Sequence, residues 1–145
     1  MVAKTLTGAG TIIMLSVPGL FDTPQQLQGF ATDDIYDTDQ IDAAETLMGV
    51  DGVLSGGYIN VPVMQNFALQ ADSDSIEFFE TWWSTNQSLQ TVLTATGTTA
   101  LTALQKKFAM IKGFLRRYKP MPDGKKLYQP QKFAIEWQQV TPSPS

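Results

Sequence analysis

At 145 residues the chain has the length of one ordinary domain, enough to bury a real core. It contains no cysteine and no histidine, which excludes disulfides, thiolate zinc sites and cysteine nucleophiles and removes the commonest general base and metal ligand. The net charge of −4 hides a separation: residues 1–80 hold 12 of the 14 acids against Lys4 alone, a net −11, while residues 81–145 hold Asp123, Glu136 and the other nine bases, a net +7. Unless folding interleaves the halves, such a split predicts an acidic face and a basic face, which suits a subunit that meets its own copy head to tail.

The opening MVAKTLTGAGTIIML has neither a long apolar core nor a small-residue cleavage site of a secretory leader, and no stretch reaches the roughly 18 apolar residues of a membrane span. A soluble protein made in a cytoplasm, with no membrane partner, is the expectation. TIIMLSV (11–17) is short, β-branched and closed by Pro18-Gly19, so it reads as a strand. Residues 18–43 are rich in Asp, Gln and Thr without a sustained period, and they read as a long acidic loop. A structureless loop of that length inside one domain is itself a signal of a partner-ordered, inter-subunit segment.

Gly49, Asp51-Gly52 and Gly56-Gly57 then fall between apolar runs, the turn chemistry of hairpins. Ile59, Val61, Val63, Phe67 and Leu69 alternate with polar positions and are broken only by Gln65, which predicts one long half-buried strand or two joined by a bulge at Pro62 or Gln65. The helical signal is confined to ADSDSIEFFETWWSTNQSLQ, a helix over about residues 73–87. Asp74 is placed to cap it with Glu77 answering, and the acids crowd the positive end of the dipole. Ile76, Phe79 and Trp83 share one face, with Phe78 and Trp82 in a second row. At this spacing the tryptophans read as core, with sugar or base stacking as the competing use.

QTVLTATGTTALTALQ is Thr-rich with a Gly turn and favours a strand pair, and KFAIEWQQV alternates Phe133, Ile135 and Trp137 inward. Between them residues 101–118 satisfy two patterns, a basic amphipathic helix through Leu101, Leu104, Phe108, Ile111 and Leu115, or strands, which Gly113 and the β-rich context favour. The end, TPSPS (141–145), reads as a flexible terminus. The sum is one domain, 1–145, mainly β (α+β), with one helix packed on a sheet and a long acidic loop.

DDIYDTDQID (33–42) gathers Asp33, Asp34, Asp37, Asp39 and Asp42 and raises the question of a cation. Counted from Asp37 as the first position of an EF-hand loop, the fifth position is Ile41, the sixth is Asp42 in place of the turn glycine, and the last is Met48, so the ligand spacing fails. An irregular site on Asp37, Asp39 and Asp42 is the residual metal reading. GVDGVLSGG lacks both the dinucleotide-binding spacing and the Lys-Ser/Thr ending of a phosphate loop. The basic residues from Lys106 to Lys132, with Tyr118 and Tyr128 among them, form a candidate phosphate-backbone surface in an otherwise acidic chain.

The order DTDQIDAAETLMGVDGVLSGGYINVPVMQNFALQADSDSIEFFETWW, followed by KPMPDGKKLYQPQKFAIEWQQV, resembles the tail tube proteins of contractile-tailed bacteriophages. The resemblance spans about residues 10–140 and is a pattern of elements without an invariant catalytic motif. It implies an antiparallel β-sandwich or barrel with one flanking helix, six copies closing a ring, rings stacking into a hollow conduit for DNA ejection, and a fold shared with the tube protein of type VI secretion. The partners it implies are other copies of the chain, the sheath, baseplate and tail terminator, and the tape-measure protein and phage DNA in the lumen. It also implies no enzyme activity, no cofactor, and a place in the virion tail after assembly in the host cytoplasm. A baseplate or tube-initiator ring, a secretion-system tube and, further off, a carbohydrate- or nucleic-acid-binding module are the alternatives.

Charge complementarity selects the contact candidates: Asp33, Asp34, Asp37, Asp39 and Asp42 with Tyr36 on an acidic arm, against Lys106, Lys107, Arg116, Arg117, Lys125 and Lys126 of a neighbour. Replacing Asp37, Asp39 and Asp42 by Asn is expected to weaken subunit stacking in the way added salt does while the monomer stays folded, measured by sedimentation and circular dichroism. Stoichiometric calcium binding in calorimetry would instead restore the metal reading.

Overall fold

A computed structural model describes residues 10–31 and 35–143. Nine strands and one α-helix follow in chain order: β1 (Thr11–Val17), β2 (Phe21–Gln26), β3 (Tyr36–Thr38), β4 (Glu45–Met48), β5 (Leu54–Gly57), β6 (Val63–Leu69), α1 (Ile76–Leu89), β7 (Thr94–Leu101), β8 (Lys106–Arg117) and β9 (Gln131–Ser143). Seven of them form one antiparallel sheet in the order β2-β1-β7-β8-β9-β6-β3, and β4 pairs only with β5 in a separate hairpin. The mainly β architecture with a single flanking helix is therefore as the sequence predicts, but the barrel is not closed. The sheet ends at β2, which carries Pro24, and at β3, only three residues long. Both are devices that blunt a strand edge.

What curls the sheet is the segment expected to be a featureless loop. Residues 18–43 contain β2, paired with β1, and β3, paired with β6. Between them residues 27–31 cross from one side of the sheet to the other: the amide of Leu27 donates to the carbonyl of Ile13 on β1 at 2.9 Å, and that of Ala31 to Ala68 on β6 at 3.0 Å. This strap is pinned to the start of α1, where the Ser73 hydroxyl donates to the Gln28 carbonyl and the Gln28 amide donates to Ser75 Oγ at 2.7 Å. Gly29 sits there at φ +72°, with Ser73 so close that a β-carbon would collide with it. The backbone polar groups of this polar stretch are thus satisfied by the sheet and by serines.

The serine clasp also changes the helix start. Asp74 and Glu77 form no capping box: α1 begins at Ile76, its N-cap residue is Ser75, and no side chain caps it, because the Ser75 oxygen already holds the strap. The helix buries Ile76, Phe78, Phe79, Trp82 and Asn86. Phe79 lies flat on Phe133 of β9 with ring centres 4.4 Å apart, and Phe78 stacks on Phe21 at 4.6 Å. Trp82 is fully buried and donates its indole N–H to the Leu93 carbonyl at 3.1 Å. Trp83 departs from expectation: at the flank of the buried stripe it stays largely exposed and stacks on Tyr118 at 5.5 Å.

Residues 106–117 are a strand, which decides the segment that fitted two patterns. The helical period there runs through three elements, Leu101 ending β7 and Leu104 in a 3₁₀ turn, and within β8 it is broken: Met110 and Gly113 turn inward while Ile111 and Lys112 both face outward, Lys112 at φ +49°. β9 does the same beside it, with Trp137 and Val140 inward and Gln138 and Gln139 outward, Ile111 pairing with Gln139. Two strands thus change face together. Gly97 is not a turn but a mid-strand residue of β7, where a side chain would run into the carbonyl of Met14. The turn falls instead at the 3₁₀ segment Thr102–Leu104.

β6 begins only at Val63, so Ile59 and Val61 do not extend it. The exception in its pattern, Gln65, is buried, and its side chain crosses the interior. Trp137 donates Nε1–H to Gln65 Oε1 at 3.0 Å, Gln65 Nε2 donates to Thr99 Oγ1 at 3.3 Å, and the Thr99 hydroxyl donates to Met110 Sδ at 3.2 Å. Four strands, β6, β7, β8 and β9, are tied together by a polar chain whose members are all satisfied. The Trp137 ring rests directly on Gly113, where a β-carbon would come within 2.5 Å of it. Replacing Gly113 by Val is expected to destabilise the fold by about 1–3 kcal/mol through overpacking, read as a lower urea midpoint with an unchanged slope, whereas the exposed neighbour Lys112→Arg should shift it little.

Candidate functional site

Strand order interleaves the two charge halves: β1, β2, β3 and β6 flank the sheet and β7, β8 and β9 form its middle. The expected basic patch is divided. Lys106 and Lys107 open β8, whereas Arg116 and Arg117 close it, about 30 Å away at a rise of about 3.3 Å per residue. Lys125 and Lys126 lie exposed in the loop that follows, at the Arg117 end. Arg116 pairs with Glu136 at 3.0 Å and Lys119 with Asp123 at 3.0 Å, both exposed pairs worth little on their own.

Of the acidic arm, Asp33 and Asp34 lie outside the described residues. Asp37 sits on β3, where its Oδ1 accepts from Asn66 Nδ2 at 2.7 Å, and the Asp39 amide continues the ladder to Met64. Asp42 is exposed beyond it. Among the described residues none of these acids forms an ion pair with Lys106, Lys107, Arg116, Arg117, Lys125 or Lys126. No cluster of three or more acidic side chains gathers there to hold a metal ion either. Tyr36 faces inward on β3, and burial raises its hydroxyl pKa above the ordinary value.

The residues most prepared for contact were legible in the sequence only as turn chemistry. The β4–β5 hairpin leaves the sheet after β3 and returns at β6, and every residue of its two strands is exposed. Its tip turns through Gly52 at φ +84°, with the Gly49 amide donating to the Val53 carbonyl at 2.9 Å and Asp51 Oδ1 accepting from the Val53 amide at 3.2 Å. Gly56 and Gly57 belong to β5 and make no turn. Around this ordered tip Leu47, Met48, Val50, Val53 and Leu54 all face solvent, each more than half exposed. A two-stranded hairpin by itself is at best marginal in water, and a concentrated apolar surface marks a contact.

A second feature lies at the root of that hairpin. The helix covers the half of the inward sheet face around Phe67 and Phe133. The other half, toward the Lys106 end, is a cleft of about 220 Å³, with Tyr36, Val63, Leu101, Phe108 and Val140 half-buried on its walls. Gln65, Thr99 and Met110 form its buried floor.

This fold is found in chains of contractile injection systems. One match is a chain of the cryo-EM structure of the anti-feeding prophage baseplate, 6-fold symmetrised: TM-score 0.61, 8% identity, covering 99% of this chain and 98% of that one. Another is a chain of the extracellular contractile injection system PVC sheath/tube terminator in the extended state: TM-score 0.65, 12% identity, covering 99% of both. The chain itself belongs to the family described as tail fiber protein gp32, whose model matches residues 4–141. It is a tail-associated structural protein of the phage-like kind. No curated protein matches it by sequence, and among the described residues no helix is long and apolar enough to cross a membrane.

Two tyrosines give the fold an alkaline limit. Burial raises Tyr36, and burial together with the Glu80 carboxylate raises Tyr118. A raised phenol keeps its proton in the folded state after the unfolded chain has lost it, so its contribution is complete below the unfolded value of about 10 and is lost as pH rises through the higher folded value. Urea stability is expected to fall above about pH 10, and the double variant Tyr36→Phe/Tyr118→Phe should flatten that fall.

Proposed function

We propose that the protein is the tail tube subunit: copies close into a ring, six by resemblance to tube proteins, and rings stack into a hollow conduit. The observation that carries this reading is the exposed apolar β4–β5 hairpin on a well-packed domain, a surface that a lone monomer has no use for. Among the described residues no further strand pairs with the blunted edges at β2 and β3, which supports it, since neighbouring subunits protect such edges. In this reading the protein has no catalytic role and needs no cofactor. Its partners are its own copies, the surrounding sheath, the baseplate and terminator at the tube's ends, and the tape-measure protein and DNA within. Assembly takes place in the host cytoplasm.

A second role on the same fold, a ring of the baseplate or at the end of the tube, is favoured by one observation: the fold matches come from a baseplate and from a sheath/tube terminator. The length of the assembly separates the two. Negative-stain microscopy of the purified protein at rising concentration is expected to show stacked tubes about 10 nm or less across, an estimate from six domains of this size. Isolated rings that never stack favour the end-ring role, and a strict monomer at high concentration sinks both. The hairpin variant Val50→Asp/Leu54→Asp should abolish assembly while leaving the circular dichroism spectrum unchanged, because both side chains are exposed in the single subunit.

A further inference from the structure

We infer that the β4–β5 hairpin of one copy docks into the cleft beside Lys106 and Lys107 on the next copy, so that one molecule supplies both the knob and the hole of the ring contact. The inference rests on the self-assembly proposed above and adds the place of contact.

Charge argues for this occupant. No basic residue stands between Lys4 and Lys106, so the hairpin and its arms carry Asp39, Asp42, Glu45 and Asp51 without any compensating cation. The cleft is apolar on its walls, and Phe108 on one wall directly follows Lys106 and Lys107. Among the described residues neither lysine forms an ion pair. The apolar tip thus matches an apolar hole, and its acidic collar matches Lys106, which shares the inward face of β8 with Phe108. On the opposite wall Asp37 and Asp39 flank Thr38, and Asp37 is already held by Asn66. Val50 and Leu54 entering the cleft would remove apolar surface from water on both partners, while Glu45 and Asp51 approach the two lysines.

Position argues for a ring. Thr38 and Val63, which line the cleft, are the last residue of β3 and the first of β6, so the hairpin grows from the rim of the hole. Knob and hole therefore lie at one end of the sheet. A heterologous contact between two features at the same height relates copies by rotation with little rise, and such a contact closes on itself instead of climbing into a filament. Stacking of rings then falls to other surfaces, leaving the Arg116, Arg117, Lys125 and Lys126 end free to meet a different neighbour.

The native absence of cysteine makes the contact directly testable. Val50→Cys and Val140→Cys are introduced into separate chains, which are mixed under assembly conditions and oxidised. The expected result is a Val50–Val140 crosslinked heterodimer, and a ladder ending at the ring number when both substitutions share one chain. Lys106→Glu/Lys107→Glu in the Val140→Cys chain should abolish the crosslink, and Glu45→Lys/Asp51→Lys in the Val50→Cys chain should restore it. Particles that assemble without this crosslink overturn the docking and leave the tube reading standing. Crosslinking within single chains, with the hairpin folded back on its own cleft, overturns it too. Chains that remain monomeric at every concentration overturn the docking and the assembly reading together.

Discussion

The structure depends on a short strap carried across the open side of a curled sheet. Residues 27–31 bind β1 through Leu27 and β6 through Ala31, and Ser73 and Ser75 lock the strap against the start of the helix. Without this crossing, two strands at opposite flanks of a seven-stranded sheet would share no backbone link. With it, the sheet is held in a barrel-like curve that is never hydrogen-bonded shut. One half of the interior is filled by α1, and the other half remains a cleft. The opening is thus a consequence of how the curl is fastened.

Inside the curve, packing and polarity divide the work. Phe79 lying on Phe133 seats the helix, and Trp137 lying on Gly113 seats β9 across β8. The chain from Trp137 through Gln65 to Thr99 and Met110 sets how β6 faces β7 across the interior. A buried glutamine is costly unless its groups find partners, and here both ends of the amide do. The reward is specificity of register: a slip of one residue in β6 would place Asn66 against the core and turn Gln65 to solvent.

Function on this fold follows from what the fold leaves uncovered. The core is complete within one subunit, yet the hairpin, the two sheet edges and the cleft are not satisfied by it. A family of phage tail proteins and a fold found in contractile injection particles give that incompleteness a setting. In the proposed assembly, contact would remove from water the apolar surface a single copy exposes, and the acidic hairpin with the divided basic ends would make the contacts directional.

Much of this was legible in the chain itself. The absence of cysteine and histidine excluded disulfides and thiolate zinc sites, alternation in KFAIEWQQV placed Phe133, Ile135 and Trp137 inward on β9, and the aromatic stripe at helical spacing placed α1 within a few residues. Tertiary structure alone decided the rest. Residues 18–43 show no period because β2 is exposed after its first residue and β3 is only three residues long, while the bonds of the strap to β6 and to serines of the helix start are ones that local sequence does not encode. Residues 101–118 imitate a helix because one apolar spacing runs through the end of β7, a 3₁₀ turn and β8, and only the fold shows that Ile111 within it faces outward. Whether opposite charges meet depends on strand order and register, which set Lys106 and Arg116 at opposite ends of β8.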